Sequence, residues 1–178
     1  MSAERSYMVF TAVGPDRPGL VNEISSAIHG AGANLEDSRM AILGGEFALI
    51  LLLSGAPDAL ERVKQAGAGL EGRLGLHCLL KETSTPSGLG DHLLYRLRLT
   101  GVDRPGIVQA IAGVLASRGI NLASLESRVS YAPLSGTPMF VLEADLQVPS
   151  RLDLSGLRSD IAARCEEENL DFTLESKA

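Results

Sequence analysis

Tryptophan is absent and aromatic residues make up only 4% of the chain, so the core must rest on Leu, Ile, Val and Ala. Few rings remain as platforms on which nucleobases could stack. Cations are scarce too. Sixteen Lys and Arg against 22 Asp and Glu leave a formal net charge of −6, and no stretch gathers them into a phosphate-neutralising patch. Direct nucleic-acid binding is therefore not expected. The two cysteines, Cys78 and Cys165, form no CxxC pair, and only the adjacent His77 lies near either of them. Neither a metal centre nor a disulfide is expected. The most apolar stretch, Phe47 to Leu53, falls far short of the ~20 residues of a spanning helix, so no membrane role is expected. Met1 to Arg5 is polar and leads into a strand-like segment rather than the apolar core of a secretory leader. The expected location is the cytoplasm.

Catalytic machinery is missing as well. His29, His77 and His92 fall on a helix, a late strand and a linker end, and no triad can be drawn through them. No phosphate-binding or dinucleotide fingerprint occurs: the glycines at 67, 69, 72 and 75 close a helix instead of opening one after a strand. No catalytic residue and no cofactor is expected, and the chain reads as a non-enzyme.

What the chain does have is an internal repeat. Gly14-Pro15-Asp16-Arg17-Pro18-Gly19-Leu20-Val21 returns 87 residues later as Gly101-Val102-Asp103-Arg104-Pro105-Gly106-Ile107-Val108. The apolar positions Leu20, Val21, Ile24, Ala27 and Ile28 recur at the same offset, and Gly32-Ala33-Asn34-Leu35 recurs as Gly119-Ile120-Asn121-Leu122. Beyond that point Ser38-Arg39 matches Ser127-Arg128 at an offset of 89, which places a two-residue gain between Asn121 and Ser127. Between the copies, Glu82 to Asp91 is rich in Thr, Ser, Pro and Gly. The expected division is a first domain at 1–84, a linker at 85–90 and a second domain at 91–178.

Each copy reads strand, helix, strand, strand, helix, strand. Tyr7 to Val13 and Leu93 to Thr100 have strand composition and end at a glycine. The next segments switch to helical period, opening at Pro18 or Pro105 and closing near Gly30 to Gly32 or Gly119. Asn34 to Leu43 and Glu46 to Leu53 flank Gly44-Gly45, a tight hairpin; Asn121 to Ala132 and Met139 to Gln147 flank a longer loop. Second helices, Pro57 to Leu70 and Leu152 to Glu168, carry Asp58 and Asp153 near their starts, and strands Leu74 to Leu80 and Leu170 to Leu174 finish the copies. The fold class is α+β, with two ferredoxin-like βαββαβ domains, each an antiparallel sheet with both helices on one face. The bare sheet faces differ: Arg96 and Arg98 face outward in copy two, whereas Ala48 to Leu53 of copy one does not alternate and reads as a strand covered on both faces. Copy two or another chain would supply that cover, and a homo-oligomer is expected.

The Asp-Arg-Pro-Gly turn carries the candidate site. Pro18 and Pro105 suit a first helical turn, Asp16 and Asp103 suit the cap, and Gly19 and Gly106 leave the backbone open to close approach. Free amides at a helix start accept an anion, and a nearby carboxylate accepts an ammonium. A free amino acid carries both charges. Asn34 and Asn121, opening the next strand, would add an amide that donates and accepts. A corner in which Asp only caps and Gly only packs would need no ligand.

The βαββαβ order with D-R-P-G-[LI]-V after strand one and G-x-N-[LI] opening strand two resembles the ACT domain, a small regulatory module of amino-acid metabolism. Two such modules with no enzyme attached are similar to the glycine cleavage system transcriptional repressor family. The resemblance implies an amino-acid ligand, glycine favoured, at Asp16, Gly19 and Asn34 and at Asp103, Gly106 and Asn121, often where two modules pair edge to edge. It also implies a protein partner, a separate DNA-binding regulator. An acylphosphatase-like use of Arg17 with Asn34 lacks the glycine amides that would cradle a phosphate. An RNA-recognition module of the same topology lacks its paired aromatics. A ligand-free interaction scaffold remains open beside the sensor.

Overall fold

A computed structural model describes residues 5–84 and 90–177. The chain divides into two compact units, Met1–Pro86 and Ser87–Ala178. Apart from Gly90, the expected linker at 85–90 lies outside the described residues.

The first unit contains β1 (Ser6–Pro15), α1 (Leu20–Gly30), β2 (Asn34–Leu43), β3 (Glu46–Gly55), α2 (Pro57–Leu74) and β4 (His77–Thr83). The second contains β5 (His92–Val102), α3 (Ile107–Ser117), β6 (Asn121–Tyr131), β7 (Pro138–Pro149), α4 (Leu154–Glu168) and β8 (Leu170–Ser176). Each sheet is antiparallel with four strands, ordered β2-β3-β1-β4 and β6-β7-β5-β8. This is the ferredoxin-like α+β arrangement, twice.

Period-two alternation puts Met8, Phe10 and Ala12 of β1 and Phe47, Leu49, Leu51 and Leu53 of β3 on one inner face. Ile24 and Ile28 of α1 and Leu60 and Val63 of α2 close over it. In the second unit Leu97, Leu99, Leu142 and Leu146 meet Ile111, Leu115, Leu157 and Ile161 in the same way. Each such fully buried side chain contributes roughly 1.5–3 kcal/mol through loss of apolar surface from water.

Several local expectations need correction. Pro18 and Pro105 lie in a turn outside the helices; α1 and α3 begin at Leu20 and Ile107, with Gly19 and Gly106 as their N-caps. Helix α2 runs past Leu70 to Leu74, through Gly67, Gly69 and Gly72. Packing outweighs propensity there: Gly67 is buried, and a Cβ on it would sit 2.8 Å from Leu80 Cδ1, so the small residue brings helix and strand together. Leu74 accordingly belongs to the helix, and β4 starts at His77.

The repeat register also changes. Ser38 pairs with Leu51 and Leu125 with Ala144, and both edge strands carry the same bulge, after Leu35 and after Leu122. The offset is therefore still 87 through β2 and β6, and Ser38 corresponds to Leu125, not Ser127. Six residues of the second copy's extra length lie in the β6–β7 hairpin, where the offset rises from 87 to 93, and one more lies between β7 and β8, where it reaches 94. Short polar matches such as Ser-Arg recur by chance, whereas the ladder admits one register.

The two outer faces differ in kind. In the second unit Arg96 lies 3.0 Å from Asp145 and Arg98 lies 3.2 Å from Glu143, an outward-facing lattice of ion pairs. In the first unit the central outer positions Val9, Ile50 and Leu52 are apolar, and Val13, Ile50 and Leu79 are exposed. The run Ala48 to Leu53, expected to be covered on both faces, alternates in burial, with Phe47, Leu49, Leu51 and Leu53 inside.

Candidate functional site

At the end of β1 the backbone N–H of Asp16 donates to the carbonyl of Gly45 (3.1 Å), which ties the turn to the β2–β3 hairpin. The Asp103 N–H makes the equivalent bond to the carbonyl of Pro138 (3.0 Å). Proline then glycine at the centre of the following turn, with Gly19 at φ 94° and ψ −11° and Gly106 at φ 95° and ψ −6°, gives the second central residue the dihedrals of a type II turn. Any residue with a Cβ is strained there.

This geometry overturns the capping role given to Asp16 and Asp103. No side chain caps α1 or α3. The first helical amides are left without side-chain acceptors, and the Asp16 and Asp103 carboxylates make no ion pair or side-chain hydrogen bond among the described residues. By contrast Asp153 caps α4, accepting from the Ser155 N–H at 3.0 Å.

Around the first turn lies an open depression of about 520 Å³, lined by Asp16, Arg17, Gly19, Asn22, Ser25 and Met40 among others. The sequence reading missed Asn22 and Ser25, one turn into the helix; as polar residues on a helix start they carried no signal apart from the turn. Arg17 Nη1 is 2.8 Å from Glu23 Oε1, and Arg73 stands 4.0 Å from the other oxygen. The Arg17 hydrogen bond, aided by the charges of Arg17 and Arg73 against a smaller desolvation cost, holds the Glu23 carboxyl below its usual range. Copy two is wired differently. Ala110 stands where Glu23 does, and Arg104 reaches across to the Glu168 carbonyl at the end of α4.

Asn34 and Asn121 do not join these corners within their own units. Asn34 and Tyr7 both pair with Ser54, whereas Asp16 follows Pro15 at the far end of β1, about 30 Å away at ~3.3 Å per residue. Asn34 Nδ2 donates to Glu36 Oε1 at 2.9 Å, and Ser54 Oγ donates to the same oxygen at 2.5 Å. The Ser54 and then the Asn34 hydrogen bonds depress the Glu36 carboxyl, with Arg5 adding its charge and desolvation opposing. Ser54 is fully buried, so the cluster satisfies a group that would otherwise be costly. Asn121 Nδ2 donates to Gln147 Oε1 at 2.8 Å.

Among the described residues no group of three His, Cys, Asp or Glu could hold a metal. Burial pushes the Cys165 thiol up to about 11, with Asp171 adding to it, and raises Cys78 as well, so both favour the unreactive thiol form. No helix among the described residues is long and apolar enough to cross a membrane.

Comparison with known proteins agrees with this architecture. Family models described as the ACT domain match residues 6–78 and 95–153. The chain is 28% identical over 167 residues to the glycine cleavage system transcriptional repressor of Escherichia coli, covering 94% of this chain and 88% of that one. A solved structure of an unknown protein from Galdieria sulphuraria shares 30% identity with a TM-score of 0.82, covering 98% and 100% of the two chains. Another, of a provisionally named glycine cleavage system transcriptional repressor, shares 29% identity with a TM-score of 0.74 over 97% and 98%. With one family model on each unit, and the same topology and glycine-capped turn in both, the chain belongs to the ACT-domain family and is a regulatory protein similar to the glycine cleavage repressor.

Proposed function

We propose that this protein is a non-enzymatic sensor of a small amino acid, glycine first, whose occupancy sets its contact with a separate DNA-binding regulator. The observation that carries the reading is the corner repeated in both units: an unpaired carboxylate, Asp16 or Asp103, beside the uncapped amides of a helix start. A ligand carboxylate would take the amides and its ammonium the Asp. The relatives' names supply the preference for glycine and for a role in transcriptional repression, and the net charge of −6 favours reaching DNA through a separate protein.

The Asn34 and Asn121 amides enter only if modules pair. Edge strand β2 begins at Asn34 and ends at Leu43, close to the Asp16 turn. Antiparallel pairing with the edge of a second module of this type would bring that module's asparagine beside the Asp16 corner. A half-site in one module is completed by its neighbour.

A calorimetric and thermal-shift titration of the folded protein with glycine and the other common amino acids tests this. Binding weakened at one site by Asp16→Asn and at the other by Asp103→Asn supports the sensor. No binding at millimolar concentration replaces it with a ligand-free interaction scaffold.

A further inference from the structure

The outer face of the first sheet holds four rows, which the pairing registers define residue by residue. One row runs Asp37, Leu52, Val9, Lys81 across β2, β3, β1 and β4; the next runs Arg39, Ile50, Thr11, Leu79. The centre is apolar apart from Thr11, and the charges sit on the two rims. Ile50 is 47% exposed, Leu79 66% and Val13 42%.

The second unit provides a control built on the same backbone. At the places of Val9, Thr11, Ile50 and Leu52 it has Arg96, Arg98, Glu143 and Asp145. These pair with one another, and Lys177 joins Asp145 at 2.6 Å. A sheet of this fold can thus meet water on its outer face, and the first unit's sheet is not made that way. Against such a charged lattice an apolar face would strip hydration from ions and return no new partner. The occupant must be apolar at its centre.

The rims identify it. Asp37 and Lys81 stand in one row at opposite edges; Asp37 meets its strand neighbour Arg39 at 2.5 Å on an exposed rim, and Lys81 has no ion pair among the described residues. The strand order β2-β3-β1-β4 means that a two-fold axis parallel to the strands, between β3 and β1, lays β2 of one sheet over β4 of the other. Rows stay level under that rotation, so each Asp37 faces the other copy's Lys81, while Leu52 meets Val9 and Ile50 meets Thr11. In the Asp37 row the face is complementary to itself, and in the next row Arg39 comes over Leu79. We infer that the outer face of the first unit's sheet docks against the same face of a second copy of this chain, packed face to face about a dyad parallel to the strands. Aligned sheets pack face to face in this way, and the interface is isologous. Ligand binding at the Asp16 corner is not required for it.

The test is sedimentation equilibrium on the full chain without ligand. Wild type should be a dimer at micromolar concentration. Ile50→Asp should raise the dimer dissociation constant at least a hundredfold while the circular dichroism spectrum and any glycine-induced thermal shift are kept. Lys81→Glu and Asp37→Lys, both on exposed rims, should each weaken the dimer about tenfold, and the double reversal should restore it. A chain that stays monomeric at high micromolar concentration overturns the inference. So does a dimer indifferent to Ile50→Asp or to the rim reversals, which would place the interface or the axis elsewhere.

Discussion

Arg17 Nη1 lies 2.8 Å from Glu23 Oε1, so the cation nearest the first corner is already engaged by a carboxylate on the helix beside it. A ligand carboxylate entering there competes with Glu23 for the guanidinium. Glu23→Gln should therefore tighten amino-acid binding at the first site several-fold and leave the Asp103 site unchanged, as calorimetry on the variant would show. Unchanged affinity would mean that Arg17 takes no part.

The turn glycines and the exposed helix glycine Gly113 should respond in opposite directions to alanine. Gly19→Ala and Gly106→Ala force a Cβ into a left-handed conformation and should cost about 1–2 kcal/mol. Gly113 is exposed within α3 and nothing lies within 4 Å of a Cβ built on it, so Gly113→Ala should stabilise by about 0.5–1 kcal/mol. Urea denaturation followed by circular dichroism measures both.

Acid should act on the second unit through Asp145. Hydrogen bonds from Lys177 and then Arg96 lower its carboxyl to about 2, against a desolvation cost, from an ordinary value of 3.8. Because the folded value is the lower one, the stabilisation is full above pH 4 and is lost as pH falls from about 4 to 2. Asp145→Asn should flatten that part of the stability profile. An identical acid profile in the variant would show that the cluster contributes nothing.

Ser54→Ala removes a buried hydroxyl that donates to the Glu36 carboxylate. The expected loss is about 1–2 kcal/mol, since the bond is charge-assisted but Glu36 still reaches water. Chemical denaturation checks the size, and NMR titration should show the Glu36 carboxyl rising toward its usual range.

Duplex DNA should not be retarded by the pure protein at physiological salt, given the net charge of −6. Gel-shift experiments across a salt series test this, and tight, salt-dependent retardation would refute it.

The repeat, the βαββαβ order and the hairpin at Gly44-Gly45 were legible in the chain because each rests on near neighbours: hydrophobic period, punctuating glycines, turn dipeptides. Both hairpin glycines do have positive φ, 61° and 87°. The alternation that turned Arg96 and Arg98 outward was equally local. What failed was any inference that needed the far end of an element. Asp16 looked like a cap because it precedes a helix by a few residues, but the Pro18-Gly19 turn moved the helix start to Leu20. Asn34 looked like a neighbour of Asp16 because both belong to one motif set, but β1 and β2 run the same way along the sheet, so their beginnings share an end and Asp16 lies at the other. Sequence by itself determined the elements, their order and the chemistry available at each turn. Tertiary structure alone decided which groups meet, because pairing register and helix length set positions tens of ångströms from the residues that encode them.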